Sequence, residues 1–179
     1  MLPLDRRAVL TVVGAAWLGS FAGCLDGPSS GGPPYETREV DDGSLFGPGL
    51  QDENERAYYA ALVADAEATS HFDWEQAGDA DRAFVEETDF AESYLGLVQV
   101  GQLTSSMRFE VVDCKESDVN LTVVLAVRDD EPHSDDRVIT TLLFRMTSDR
   151  RRVPENVAVE LDVGDHHETF SGGRAGTDS

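Results

Sequence analysis

From Tyr94 onward, apolar side chains return at every second position, the period of an extended chain with one face turned inward. Val119, Leu121, Val123, Leu125 and Val127 alternate with Asn120, Thr122, Val124, Ala126 and Arg128. Val138, Thr140, Leu142, Phe144 and Met146 alternate in the same way with Arg137, Ile139, Thr141, Leu143 and Arg145. Val157, Val159, Leu161 and Val163 interleave with Ala158, Glu160 and Asp162, the cleanest half-buried pattern of all. Tyr94 to Val100 and Met107 to Val112 add two more strands, with Phe84-Val85 and Thr169-Phe170 as short edges. Strands separated by turn signals at roughly ten-residue spacing predict a mainly β fold. The expected architecture is an antiparallel β-sandwich, Ig-like or barrel-like, of about six or seven strands. Tyr58 to Val63 fits either a helix opened by Asp52 and Glu55 or a strand. The strand is preferred, followed by one short helix that Asp65 caps and that runs to about Phe72 or Gln76.

The N-terminal pattern is of another kind. Asp5-Arg6-Arg7 precedes an uncharged apolar run, Ala8 to Gly23, which is 16 residues long and ends at Cys24. A charged start, an apolar stretch and a small-residue exit describe an export signal. The run is short of the roughly 20 residues that span a bilayer, although an uncleaved signal anchor has the same layout. Arg6-Arg7 resembles the twin-arginine signal, which exports folded proteins. Phe21-Ala22-Gly23-Cys24 resembles a lipobox, with phenylalanine where leucine is most common, and implies lipid on Cys24. Residues 1–23 are therefore expected to be a signal peptide. The location expected is the extracellular face of the cell membrane, with the lipid as anchor. Residues 24–52, with Gly27-Pro28 and Gly31-Gly32-Pro33-Pro34, are expected to form a flexible tether. Leu25 to Gln51 counts 27 residues, and a random coil of that length reaches about 29 Å r.m.s.. A β-rich extracellular domain over 53–170 and a disordered tail over 171–179 complete the layout.

Composition changes this picture in one respect. Of 179 residues, 35 are acidic and 14 basic, for a net charge of −21, and 40% are hydrophobic. The charge excludes nonspecific nucleic-acid binding and electrostatic docking on anionic lipid. Lys115 is the single lysine; the other 13 bases are arginines. Such an acid-rich, lysine-poor balance resembles extreme halophiles, whose molar salt shrinks the Debye length to about 3 Å and screens self-repulsion.

Thr88-Asp89-Phe90, Ser93-Tyr94-Leu95, the run to Val100, and Gly101 to Val111 with Thr104-Ser105-Ser106 carry a resemblance. They are similar to the C-terminal domain of PrcB-type protease-complex subunits, in which an Asp-Phe pair precedes a strand and a Thr-Gly-Gly turn comes after it. The later strands and the loop at Pro132 fall in the same order, so the resemblance covers about 58 to 161. Ser105-Ser106 replaces the two glycines. More closely, the chain resembles uncharacterised twin-arginine-exported lipoproteins of halophilic archaea. The activity of those lipoproteins is unknown; the resemblance to the protease-complex subunits implies a β-rich extracellular module that binds proteins, and no catalytic residues.

Candidate chemistry is sparse. Asp162 to Glu168 is the densest set of ligand types, and His166, His167 and Glu168 are its metal candidates. On a strand, His166 and Glu168 share a face while His167 points away, and a solvated turn explains the segment equally simply. Asp129-Asp130-Glu131-Pro132-His133-Ser134-Asp135-Asp136 offers five carboxylates to Ca²⁺ but lacks EF-hand order and its glycine. Asn120-Leu121-Thr122 is an acceptor sequon for N-glycosylation. Arg150-Arg151-Arg152 is the one basic cluster, expected to pair with carboxylates before Pro154. With Cys24 lipidated, Cys114 is a lone thiol, read as a small buried hydrophobe. Trp74 with Phe72 reads as core packing, and Ser105 and Ser106 have no histidine nearby in sequence. There is no phosphate-binding glycine loop and no His-Glu-x-x-His.

The reading is a non-catalytic protein- or ligand-binding module, with no cofactor. Its partners are the membrane, through Cys24, and an extracellular protein. An exported metal-dependent hydrolase built on His166, His167 and Glu168 is the alternative, and a structural cell-envelope component is a third. Below about 1 M salt, where the Debye length exceeds ~3 Å, the far-ultraviolet circular dichroism of the folded state is expected to be lost. An unchanged spectrum after dialysis into dilute buffer would exclude the halophile reading.

Overall fold

A computed structural model describes residues 32–40, 45–53, 57–130, 132–147 and 152–176. The expected export signal, with Arg6, Arg7 and Cys24, lies outside the described residues.

Eight strands build two four-stranded sheets. In chain order they are β1 (Tyr35–Val40), β2 (Tyr58–Val63), β3 (Ser93–Leu103), β4 (Met107–Glu116), β5 (Asn120–Asp129), β6 (Val138–Thr147), β7 (Asn156–Val163) and β8 (His166–Gly173). Sheet 1 has the order β1-β6-β3-β2 and sheet 2 the order β4-β5-β7-β8. The fold is a β-sandwich with one α-helix, as the alternation predicts. Among the described strand pairs one is not antiparallel: β5 and β7 run parallel, with Leu121 beside Val157 and Leu125 beside Leu161. The chain leaves β5, crosses to sheet 1 as β6 and returns as β7, so the two strands of sheet 2 point the same way.

The odd-numbered positions read in β5 and β7 do face inward. Leu121, Val123, Leu125, Val157, Val159 and Leu161 meet Val98, Leu142, Phe144 and Met146 of sheet 1 in the inter-sheet core. Sheet 1 is buried on its other face as well. There Leu95, Leu97 and Leu143 lie under Leu45, Phe46, Phe72 and Val85, contributed by loops and the helix. This layer is pinned by Gln99, a fully buried amide in β3. Its Oε1 accepts from the Leu50 N–H at 2.9 Å, and its Nε2 donates to Thr141 Oγ1 at 3.1 Å.

Four expectations need correction. Residues 35–40, assigned to the tether, pair with β6 from Tyr35 beside Met146 to Val40 beside Thr141. Only Tyr35 and Val40 of this strand are large and apolar, so hydrophobic period does not reveal it. Polar contacts hold it instead: Arg38 Nε lies 2.5 Å from Asp81, Arg145 Nη2 lies 2.7 Å from Glu36, and Glu39 Oε2 accepts from the Phe109 N–H at 2.7 Å. Leu45 and Phe46, also within the expected tether, are buried.

The α-helix is α1, Asp79–Glu86, so Phe84-Val85 belongs to it and not to an edge strand. Asp79 and Asp81 sit in its first turn, where carboxylates suit the helix dipole, and Asp81 Oδ2 accepts from the Gly78 N–H at 3.2 Å. Asp65 Oδ1 accepts from the Ala68 N–H at 2.9 Å, but the helix expected there is only a 3-10 turn, Ala68–His71, and its N-cap residue is Glu67, not Asp65. The chain then becomes extended at Phe72 to bridge Phe46.

The tail is docked as far as 176. Ser171–Gly173 completes β8, Ala175 N–H donates to the Leu62 carbonyl at 2.8 Å, and Arg174 Nε donates to the Pro154 carbonyl at 3.0 Å. Here β8 crosses β2 so closely that a Cβ on Gly172 would stand 1.7 Å from the Ala60 carbonyl oxygen. Only glycine fits there.

Gln99→Leu keeps the volume of this side chain but orphans the Leu50 N–H. A loss of about 1–3 kcal/mol is expected, measured by chemical denaturation in high salt, with faster proteolysis between 45 and 51. Unchanged stability would show that apolar cover alone holds the layer.

Candidate functional site

Strand register gives the sandwich two poles. Tyr35, Ser93, Glu116, Asn120, Asn156 and Gly173 lie at one, because β1, β3, β5 and β7 begin there while β4, β6 and β8 end there. Leu103, Met107, Asp129, Val138, Val163 and His166 lie at the other, which we call the far pole. The ten residues of β5 separate the two by about 30 Å at ~3.3 Å per residue.

The far pole carries a knot of polar side chains from two segments far apart in sequence. The β3–β4 turn, Thr104-Ser105-Ser106, lies against the loop from Asp129 to Arg137 because Met107 pairs with Asp129. Ser106 Oγ donates to Asp129 Oδ1 at 2.7 Å and stands 2.8 Å from Thr104 Oγ1. Asp129 Oδ2 lies 2.9 Å from His133 Nδ1. Asp136 Oδ1 accepts from the Ser105 N–H at 3.0 Å and from Ser134 Oγ at 2.6 Å. These bonds favour the ionised carboxylates. Asp129 is held below the usual carboxylate range by Ser106 and then His133, and Asp136 is drawn down to about 2, chiefly by Ser134.

An open depression of about 550 Å³ lies over this knot, lined by Ser105, Ser106, Arg108, Asp130, Pro132, His133 and Ser134. Serine, aspartate and histidine meet here, but not in the order that nucleophilic catalysis requires. Asp129 stands between Ser106 and His133, so the serine proton points at a carboxylate of lowered pKa, a weak base, and not at the imidazole. Ser106 is also buried, with its oxygen already shared among Thr104, Asp129 and the Ser134 N–H. The geometry is that of a rigid, polar, solvent-facing surface. A cation meets a similar obstacle, since both Asp129 oxygens and Asp136 Oδ1 are already engaged.

The other sequence candidates are dispersed. His166 and Glu168 lie on the row of β8 that carries Phe170, which stacks on Tyr58 at 5.1 Å. His167 lies on the opposite row, its Nδ1 2.7 Å from Asp162 Oδ1, and Asp162 raises its pKa. Among the described residues no three His, Cys, Asp or Glu side chains converge as a metal site. Cys114 is buried in the inter-sheet core, and burial, followed by Asp113 and Glu116, pushes its thiol up to about 12. It is no nucleophile near neutral pH. Arg152 pairs with Glu155 at 2.6 Å; Arg150 and Arg151 lie outside the described residues. Trp74 stacks on Phe72 at 5.5 Å and lies under the Arg82 guanidinium, outside any helix. Asn120 is exposed at the start of β5. Among the described residues no helix is long and apolar enough to cross a membrane.

Sequence reasoning found the members of the far-pole knot but not the knot. Ser105-Ser106 and the acidic loop are about 25 residues apart, and only the β4–β5 register brings them together. No family model, curated protein or solved structure matches the chain.

The depressed Asp136 pKa has a testable sign. Its contribution to stability is present above the unfolded carboxyl pKa of about 3.9 and is lost as pH falls through about 2. Carboxyl titration by NMR is expected to place Asp136 near 2, and Ser134→Ala to move it up toward the ordinary range. An unmoved midpoint in the variant would remove Ser134 as the cause.

Proposed function

We propose that the chain is an exported lipoprotein of a halophile, anchored through lipid on Cys24, whose folded domain is a non-catalytic binding module. The observation that carries this reading is the opposition of the two poles. The N-terminal segment reaches the domain at the Tyr35 pole, where a Cβ on Gly32 would stand 2.4 Å from the Cys114 carbonyl oxygen. The polar depression lies at the far pole. From Cys24 to Gly32 is eight residues, at most about 28 Å of chain, so an anchor at Cys24 keeps the Tyr35 pole close to the membrane. The far pole then faces away from it.

The far-pole depression suits recognition. Its serines, carboxylates and histidine are fixed by one another before a partner arrives, which limits the ordering cost of association. Its walls mix Arg108 and His133 with Asp130, hydroxyls and Pro132, a surface of both charge signs that fits a protein loop better than a small molecule. The resemblance to protease-complex subunits points to the same class of partner.

The test is an affinity pull-down from native membranes in multimolar salt, with Cys24→Ala as the unanchored control. The wild-type chain is expected to retain one stoichiometric protein. Pro132→Ala with His133→Ala is expected to reduce that capture about tenfold, while Cys24→Ala protein appears in the medium. Capture undiminished by the double substitution would move the partner off the far pole. A wild-type chain that captures nothing would sink the module.

A further inference from the structure

We infer that Asn120 accepts an oligosaccharide on the folded domain, a modification that rests on the export reading above. The chain has three asparagines, Asn54, Asn120 and Asn156, and only Asn120 is followed at the second position by serine or threonine. A sequon of three residues arises easily by chance, so the weight falls on its geometry.

Asn120 is the first residue of β5 and is exposed. Its backbone is fully engaged by the hairpin turn. The Asn120 N–H donates to Ser117 Oγ at 3.0 Å, and the Asn120 carbonyl accepts from the Ser117 N–H at 2.8 Å and from Ser117 Oγ at 3.0 Å. The side-chain amide has no hydrogen-bond partner among the described residues, and neither has the hydroxyl of Thr122. Leu121, between them, is fully buried, so it fixes Asn120 and Thr122 on the same outward row of sheet 2. Amide and hydroxyl are therefore presented together without any unfolding, as a chain exported in its folded state requires.

The surroundings leave room for a sugar. The residues opposite on β7 are Asn156 and Ala158, one polar and one small. Val119, next to Asn120, is one of two exposed large hydrophobic residues among those described. The C–H face of a pyranose ring would cover it. The site lies at the Tyr35 pole, about 30 Å along β5 from the depression, so a glycan there does not obstruct the far pole.

The donor is a lipid-phosphate-linked oligosaccharide. In the transfer, the amide Nδ2 of Asn120 forms a bond to the anomeric carbon, and the bond from that carbon to the donor's phosphate oxygen breaks. The lipid phosphate leaves with the electron pair, and a base on the transferase takes the proton lost from Nδ2.

The test is peptide mass spectrometry on the full chain, recovered from each fraction of a cell that exports it and makes lipid-linked oligosaccharide. Trypsin cuts after Lys115 and Arg128 and releases residues 116–128, which contain the sequon. This peptide, from membrane-bound protein, is expected to carry added sugar mass. Asn120→Gln and Thr122→Ala should abolish the added mass, and Thr122→Ser should keep it, with circular dichroism of all three unchanged in high salt. Unmodified peptide from the membrane-bound pool would overturn the inference and leave the anchored reading standing. Protein retained wholly inside the cell would overturn both.

Discussion

A sheet whose two faces are both apolar folds only if something covers each of them. In sheet 1, alternate residues of β3 and β6 meet sheet 2, while Leu95, Leu97, Gln99, Thr141 and Leu143 face the other way and are buried too. Covering them falls to Leu45, Phe46, Phe72 and Val85, drawn from loops and one short helix. Burying a leucine or phenylalanine contributes about 1.5–3 kcal/mol each, but a layer with so little regular structure also needs fixed attachment. Gln99 supplies it to the loop at Leu50, and the Arg38–Asp81 pair supplies it to α1. Residues 35–40 and 45–50 are thus part of the fold.

Closure of the sandwich at its edges obeys the same logic. Exposed edge strands invite association with other chains. At one edge Glu39 of β1 reaches the Phe109 N–H of β4, occupying a ladder donor with a carboxylate. At another, β8 lies across β2 at Gly172 and the Leu62–Arg174 bridge. The outer face of sheet 2 is left partly open to solvent. At the far pole Asp129 and Asp136 are engaged by local hydroxyls, a backbone amide and His133.

The strands with apolar alternation were legible in the sequence because burial of one face and a period of two are the same constraint seen twice. β5, β7 and β6 were read to within a residue or two. β1 was not, since its Tyr-Glu-Thr-Arg-Glu-Val run is held by Arg38, Glu36 and Glu39, and charge pairs leave no period. α1 was missed because eight residues give barely two turns, and Phe84-Val85 alone looks like a strand fragment. The parallel β5–β7 pair was invisible because it depends on which sheet β6 joins, a long-range choice. For the far pole the residue types were visible and their meeting was not, because it results from register: Met107 opposite Asp129 sets Ser106 beside the acidic loop.

The contrast between 13 arginines and one lysine takes on a second meaning in the folded chain. Arg108 Nη1 donates to the Ser105 and Met107 carbonyls at 2.8 and 2.9 Å, and Arg174 uses two nitrogens on the Val153 and Pro154 carbonyls. Arg82 lies over Trp74 while its Nη2 donates to the Trp74 carbonyl at 2.7 Å, and Arg145 lies over Phe84 while pairing with Glu36. Each of these tasks needs a planar fork that donates in several directions or stacks on a ring, and an ammonium group performs neither well. Lys115, by contrast, makes one exposed pair with Asp113. These contacts explain why the bases are arginines: in a domain whose described residues hold one short helix and much loop, guanidinium groups stitch the carbonyls of turns and the rings of the outer layer to the sheets.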